Sequence, residues 1–127
     1  MGGSHAEHWL TALDILGRRQ NFRVDVYLKM GCPFMISGMI NNPLTNKPYY
    51  NCLEWNKKVY NRVLQKKYDY VFTTATRPAQ LTGVGPDVVP DYYADLWRSF
   101  NKENVQMILV RDTPWSTRCL LYTSDAA

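Results

Sequence analysis

The sequence predicts an α/β domain built on a parallel sheet, and three observations carry that prediction. Segments with helical and strand periodicity alternate along the chain: helix, strand, helix, strand, helix, strand. Two of the three strands are short continuous apolar runs, the pattern of strands covered on both faces. The chain has 127 residues and a mass of 14.8 kDa, which is enough for one core and one domain.

The first helix follows Ser4. Trp9, Ala12, Leu13 and Leu16 recur at i, i+3, i+4 and i+7, and Gly17-Arg18-Arg19 supplies a stop. Phe22, Val24, Val26 and Leu28 alternate with Arg23, Asp25 and Tyr27, the pattern of a half-covered edge strand. Gly31-Cys32-Pro33 breaks it. Residues 34–51 read as loop, with turn formers at Asn41-Asn42-Pro43 and Asn46-Lys47-Pro48. A second helix runs from about Leu53 to Lys67, with Trp55, Val59 and Val63 on one side. The strand at 70–74 ends in Thr73 to Pro78, and a Gly/Pro-rich loop follows from Gly83 to Pro86. Tyr93, Leu96, Trp97 and Phe100 mark a third helix. The strand at 105–110, apolar nearly throughout, is expected to be buried on both faces and ends in Arg111-Asp112-Thr113-Pro114. Trp9, Trp55 and Trp97 sit at core spacing.

Composition narrows the function. Hydrophobic residues make up 46% and charged residues 20%, which excludes a disordered tail. No run reaches the 18 apolar residues of a membrane span, and no signal peptide is visible. The net charge of +4 comes from basic residues scattered between Arg18 and Arg118, so no nucleic-acid surface is indicated. Cys32, Cys52 and Cys119 lack zinc-site spacing, and neither a metal nor a cofactor is expected.

In parallel sheets, ligands bind at the carboxyl ends of the strands. That rule selects Ser4, Gly31 to Pro33, Thr73 to Arg77 and Arg111 to Pro114. Gly2-Gly3-Ser4-His5 stands directly before a helix. A serine there serves either as the helix N-cap or as a nucleophile beside N–H groups able to stabilise an oxyanion. The strand that should feed this turn is missing from the chain.

GGSHAEHWLTALDIL, KMGCPF, CLEWN, YDYVFTTATRP and VQMILVRDTPW, taken in order, resemble the SGNH-hydrolase-like domain at the C-terminus of acyltransferase family 3 membrane proteins. The resemblance covers residues 1 to about 116. It implies a three-layer, flavodoxin-like sheet of order 2-1-3-4-5, incomplete here because the first and last strands are missing. The strand at 22–28 would be the second, and the missing first strand would lie between it and the strand at 70–74. The resemblance also implies an O-acyltransferase that passes an acyl group, expected to be acetyl, through a serine to a hydroxyl of a cell-surface carbohydrate. A membrane module of the parent would deliver the donor, and the domain would be extracytoplasmic.

Residue by residue, the resemblance makes Ser4 the nucleophile. Gly3 stands where most such enzymes have Asp. Gly31 falls in the block that supplies an oxyanion-hole N–H. Thr76 and Arg77 replace the usual Asn donor of the third block. His5, Asp112 and Trp115 are possible acceptor contacts, Asp112 being otherwise a turn-capping carboxylate. The family's general base is a His in an Asp-x-x-His block near the C-terminus. The only histidines here are His5 and His8, so the base is absent from the chain. The alternatives are a non-catalytic interaction domain and a phosphate- or nucleotide-binding module. The second of these lacks both GxGxxG and GxxxxGK[ST].

Residues 117–127 depart from the family pattern and resemble the translation of a sequencing adapter, a non-native tail. Setting Cys119 aside with that tail leaves Cys32 and Cys52. They read as a disulfide in an oxidising compartment, or else as two buried thiols.

Overall fold

The computed structural model describes residues 1–42, 44–79 and 85–113. Its elements are α1 (Ser4–Glu7), α2 (Leu10–Gln20), α3 (Tyr50–Lys66), β1 (Val71–Thr74), β2 (Arg77–Pro78), β3 (Asp87–Val88), α4 (Asp91–Lys102) and β4 (Met107–Val110). Strands β1 and β4 pair in parallel, with Val71 opposite Met107 and Thr74 opposite Val110. The α/β class and the parallel pairing follow from the chain order. The small antiparallel β2–β3 hairpin was not foreseen.

The core lies where α3 and α4 cover β1. Phe34, Val59, Val63, Val71, Leu96 and Phe100 form one buried cluster. Val59 and Val63 come from one stripe of α3, and Leu96 and Phe100 from one stripe of α4, each pair spaced by four residues. Residues alternate across a strand, so Phe72 turns away from Val71 and meets the Trp9 ring, with centroids 5.9 Å apart. A second cluster joins Met35 and Ile40 of the long loop to Cys32 and Cys52. Cys32 and Cys52 are disulfide-bonded, with a Cα–Cα distance of 5.5 Å.

Three expectations need correction. The first predicted helix is two helices, broken at His8-Trp9, and Gly17 lies inside the second rather than ending it. Gly17 is packed against the Phe22 backbone. Asn21 takes the left-handed C-terminal position (φ 56°), with its N–H and that of Phe22 donating to the Gly17 carbonyl.

The segment at 22–28 is extended but forms a bridge only at Leu28, with Gly2. The strand expected at 105–110 is not buried on both faces. Ile108 and Leu109 are 45% and 39% exposed, because β4 is the outer strand among the described residues.

Met1 and Gly2 lie between the 22–28 segment and β1. The Gly2 N–H donates to Tyr27 O, and the Lys29 N–H donates to Gly2 O. The Met1 amine donates to Phe72 O at 2.7 Å, and Thr73 Oγ1 donates to Met1 O at 3.0 Å. Gly2 has φ +137°, and a Cβ there would lie 3.1 Å from the Ala6 Cβ. Only glycine turns this corner into α1.

Candidate active site

The site forms where three chain segments converge at the carboxyl ends of β1 and β4: residues 2–8, 74–77 and 110–113. Ser4 is the first residue of α1, and Gly3 occupies the N-cap position. Ser4 therefore does not cap the helix, and its side chain is exposed. Gly3 packs against the Cys32 backbone, where a Cβ would meet Cys32 O at 3.4 Å. That contact brings the 31–33 turn beside the serine segment, and a Cβ at Gly3 would sit there at ordinary contact distance. The turn itself is closed by the Cys32 N–H donating to Lys29 O.

Asp112 is buried and organises the other side. Its Oδ1 accepts from His5 Nδ1 at 2.9 Å and from the Thr113 N–H at 2.8 Å. Its own N–H donates to Thr76 Oγ1 at 2.9 Å. A carboxylate only accepts, so the bond places the His5 proton on Nδ1. This ties the start of α1 to the end of β4 across more than a hundred residues of sequence. Thr113 Oγ1 stands 3.3 Å from both His5 Nδ1 and His8 Nδ1, and the two imidazole centroids are 5.2 Å apart.

The structure thus brings together His5, Thr76 and Asp112, with Ser4 next to His5 at the start of α1 and Gly31 in the turn that Gly3 packs against. Arg77 is held differently. Its backbone pairs with Val88, and its Nη1 donates to the Tyr92 hydroxyl at 3.1 Å. Trp115 and the tail at 117–127, including Cys119, lie outside the described residues. Among the described residues, no His/Cys/Asp/Glu group could hold a metal ion.

Two participants escaped the sequence reading. Thr113 stands in the sequence only as part of a strand end. Asn56 is fully buried and donates through Nδ2 to Pro33 O at 2.8 Å, anchoring the 31–35 turn to α3. Its signal was present: Cys52 and Asn56 are four residues apart on one helix face, and both reach the same turn. Burial pushes the Tyr93 hydroxyl well above the ordinary tyrosine range, so it stays protonated beneath Thr74.

The model of one protein family, the SGNH domain (fused to AT3 domains), matches residues 1–126. Neither the curated proteins nor the solved structures contain a match to the chain. No helix among the described residues is long and apolar enough to cross a membrane.

Proposed function

Because the chain belongs to the family of SGNH domains fused to AT3 domains, an acyltransferase-associated, hydrolase-like module, we propose that it is the acceptor-side domain of an O-acyltransferase working through Ser4. In this reading the sheet is the three-layer, flavodoxin-like one. The domain sits outside the cytoplasm, joined to a membrane module that supplies the acyl donor.

The Ser4 hydroxyl attacks the donor's acyl carbonyl, and its proton passes to a histidine base as the C–O bond to serine forms. The donor's leaving group departs with a proton, giving acyl-Ser4. A carbohydrate hydroxyl then attacks that ester and Ser4 is restored. The acyl group is acetyl in the simplest case. The Gly31 N–H and the Thr76 hydroxyl are the proposed oxyanion donors. Thr76 accepts the Asp112 N–H with a lone pair and keeps its own O–H to donate. Arg77, engaged with Tyr92, is the weaker candidate.

Neighbouring residues on a helix do not face one another. His5, held by Asp112, therefore positions the Ser4 segment rather than deprotonating Ser4. The reading assigns the base to the family's Asp-x-x-His block and keeps His5 and Trp115 as acceptor contacts, with Asp112 buried behind His5.

The observation that carries this reading is the convergence of the Ser4 segment, the 31–33 turn and Thr76-Asp112 at the carboxyl end of a parallel sheet. The test is acyl transfer to surface carbohydrate by the membrane-fused parent. Ser4→Ala should abolish it while circular dichroism stays unchanged. A variant retaining most of the transfer would remove Ser4 as the nucleophile.

A further inference from the structure

The turn beside Ser4 is held in place from α3, on the side away from the chemistry. The Cys32 N–H donates to Lys29 O at 3.1 Å, which closes a four-residue turn over Met30 and Gly31. Gly31 has φ +62°, whereas Met30 has a negative φ. That combination marks a type II turn. Types I and II differ chiefly in the peptide between the two central residues, which is turned over in one relative to the other. The N–H of Gly31 belongs to that peptide, so the turn type decides which way it points. Among the described residues, no backbone carbonyl accepts it.

The chain that follows the turn is stiff. The ring of Pro33 fixes its own φ, and a residue before proline is confined to extended conformations, which restricts Cys32. A displacement at Pro33 therefore passes to Gly31 with few torsions to absorb it. Pro33 O is gripped by α3, where Asn56 Nδ2 donates to it at 2.8 Å. Asn56 is fully buried, and its Nδ2 also lies 3.6 Å from Cys52 Sγ. Val59 and Val63 seat the same helix in the core, and Phe34, directly after Pro33, belongs to the same buried cluster. The disulfide already ties Cys32 to α3. A second, directional bond to the next carbonyl adds orientation more than attachment.

We propose that Asn56 is a positioning residue for the oxyanion donor: its bond to Pro33 O holds the Met30–Gly31 peptide in the orientation that presents the Gly31 N–H to the acyl oxygen. This inference rests on the reading of Ser4 as nucleophile and Gly31 as donor. The disulfide fixes where the turn lies, and Asn56 fixes how it is rotated. The same grip reaches the serine segment, because Gly3 packs against the Cys32 backbone.

The test is a double-mutant cycle on acyl transfer by the membrane-fused parent. The rate is expressed per site titrated to completion with a fluorophosphonate, which removes any loss of folded protein from the comparison. Asn56→Leu keeps nearly the same volume and removes the donor. Gly31→Ala disfavours the positive φ and turns the N–H of residue 31 away. Gly31→Ala should lower kcat about 100-fold, the usual cost of an oxyanion donor. Asn56→Leu should lower kcat about tenfold with KM unchanged, a fraction of what a misplacement of about 1 Å can cost. In the Gly31→Ala background, Asn56→Leu should cost less than about twofold, because the donor it positions is already lost. If Asn56→Leu gives no titratable site, Asn56→Ala with the disulfide intact takes its place in the cycle.

The proposal is overturned if the Asn56 variant keeps the parent kcat, if its loss falls on KM alone, or if it costs as much in the Gly31→Ala background as in the parent. An unchanged kcat in Gly31→Ala overturns it as well, since Gly31 would then not be the donor. Ser4→Ala separates the two levels. Transfer retained by Ser4→Ala would remove the underlying reading and the proposal together. Transfer abolished by Ser4→Ala but untouched by the Asn56 variant would remove the proposal alone.

Discussion

Reducing the Cys32–Cys52 disulfide should cost about 3 kcal/mol. The bond closes a loop with a sequence separation of 20 residues. In the chain-entropy account, opening a loop of that length returns about 3 kcal/mol of freedom to the unfolded chain. The folded side should change little, because both cysteines are fully buried and the turn keeps a second anchor in the Asn56 bond to Pro33 O. Natural domains are stable by only about 5–15 kcal/mol, so the loss is a large share.

The assay is urea unfolding of the oxidised chain and of the Cys32→Ser/Cys52→Ser variant. With a slope of roughly 1–3 kcal/mol per molar urea, the midpoint should fall by about 1–3 M. Adding Asn56→Ala to the cysteine variant should cost more than the same change in the oxidised chain, since each anchor then carries the turn alone. Equal midpoints for the oxidised chain and the cysteine variant would refute the reasoning. So would alkylation of both cysteines in the native chain without reductant.

Asp112→Ala deprives His5 Nδ1 and the Thr113 N–H of their acceptor, and should cost roughly 1.5–3 kcal/mol in urea unfolding. Asp112→Asn keeps one acceptor oxygen and should cost less; an unchanged alanine variant would show that the tether is not a stabilising one. Asp25 accepts from Tyr68 at 2.6 Å and from Arg23 at 2.8 Å, and these bonds hold its carboxyl at about 2 against an ordinary 3.8. A depressed folded-state value means stability present above pH 4 and lost as pH falls toward 2. Tyr68→Phe should therefore move the acid-unfolding midpoint upward, and an unmoved midpoint would contradict the assignment.

What the sequence revealed follows from what is local. The helical stripes through Val59-Val63 and Leu96-Phe100 and the apolar runs at β1 and β4 are periodic signals, and each appears close to where the pattern places it. The 22–28 segment shows the limit. Its alternation is real, yet a strand is defined by its partner, and among the described residues only Gly2 bridges it. The same holds for α2, whose apolar stripe was legible but whose covering surface was not. At the site, the strand-end rule selected Ser4, the 31–33 turn, Thr76 and Asp112. It did not show that Asp112 would take His5 through a bond spanning 107 positions, because such long-range pairing leaves no periodic trace. Arg77 was selected by its position in a block, and its bond to Tyr92 depends on a hairpin whose strands are two residues each.

The central claim is that Ser4 is the nucleophile, and the most direct test is to trap it. The membrane-fused parent is treated with a fluorophosphonate, digested, and the adduct mapped by mass spectrometry. The account predicts a single modified serine at Ser4, lost on heat denaturation before labelling and absent in Ser4→Ala. An unmodified Ser4, or an adduct that maps to another residue and survives Ser4→Ala, would contradict it.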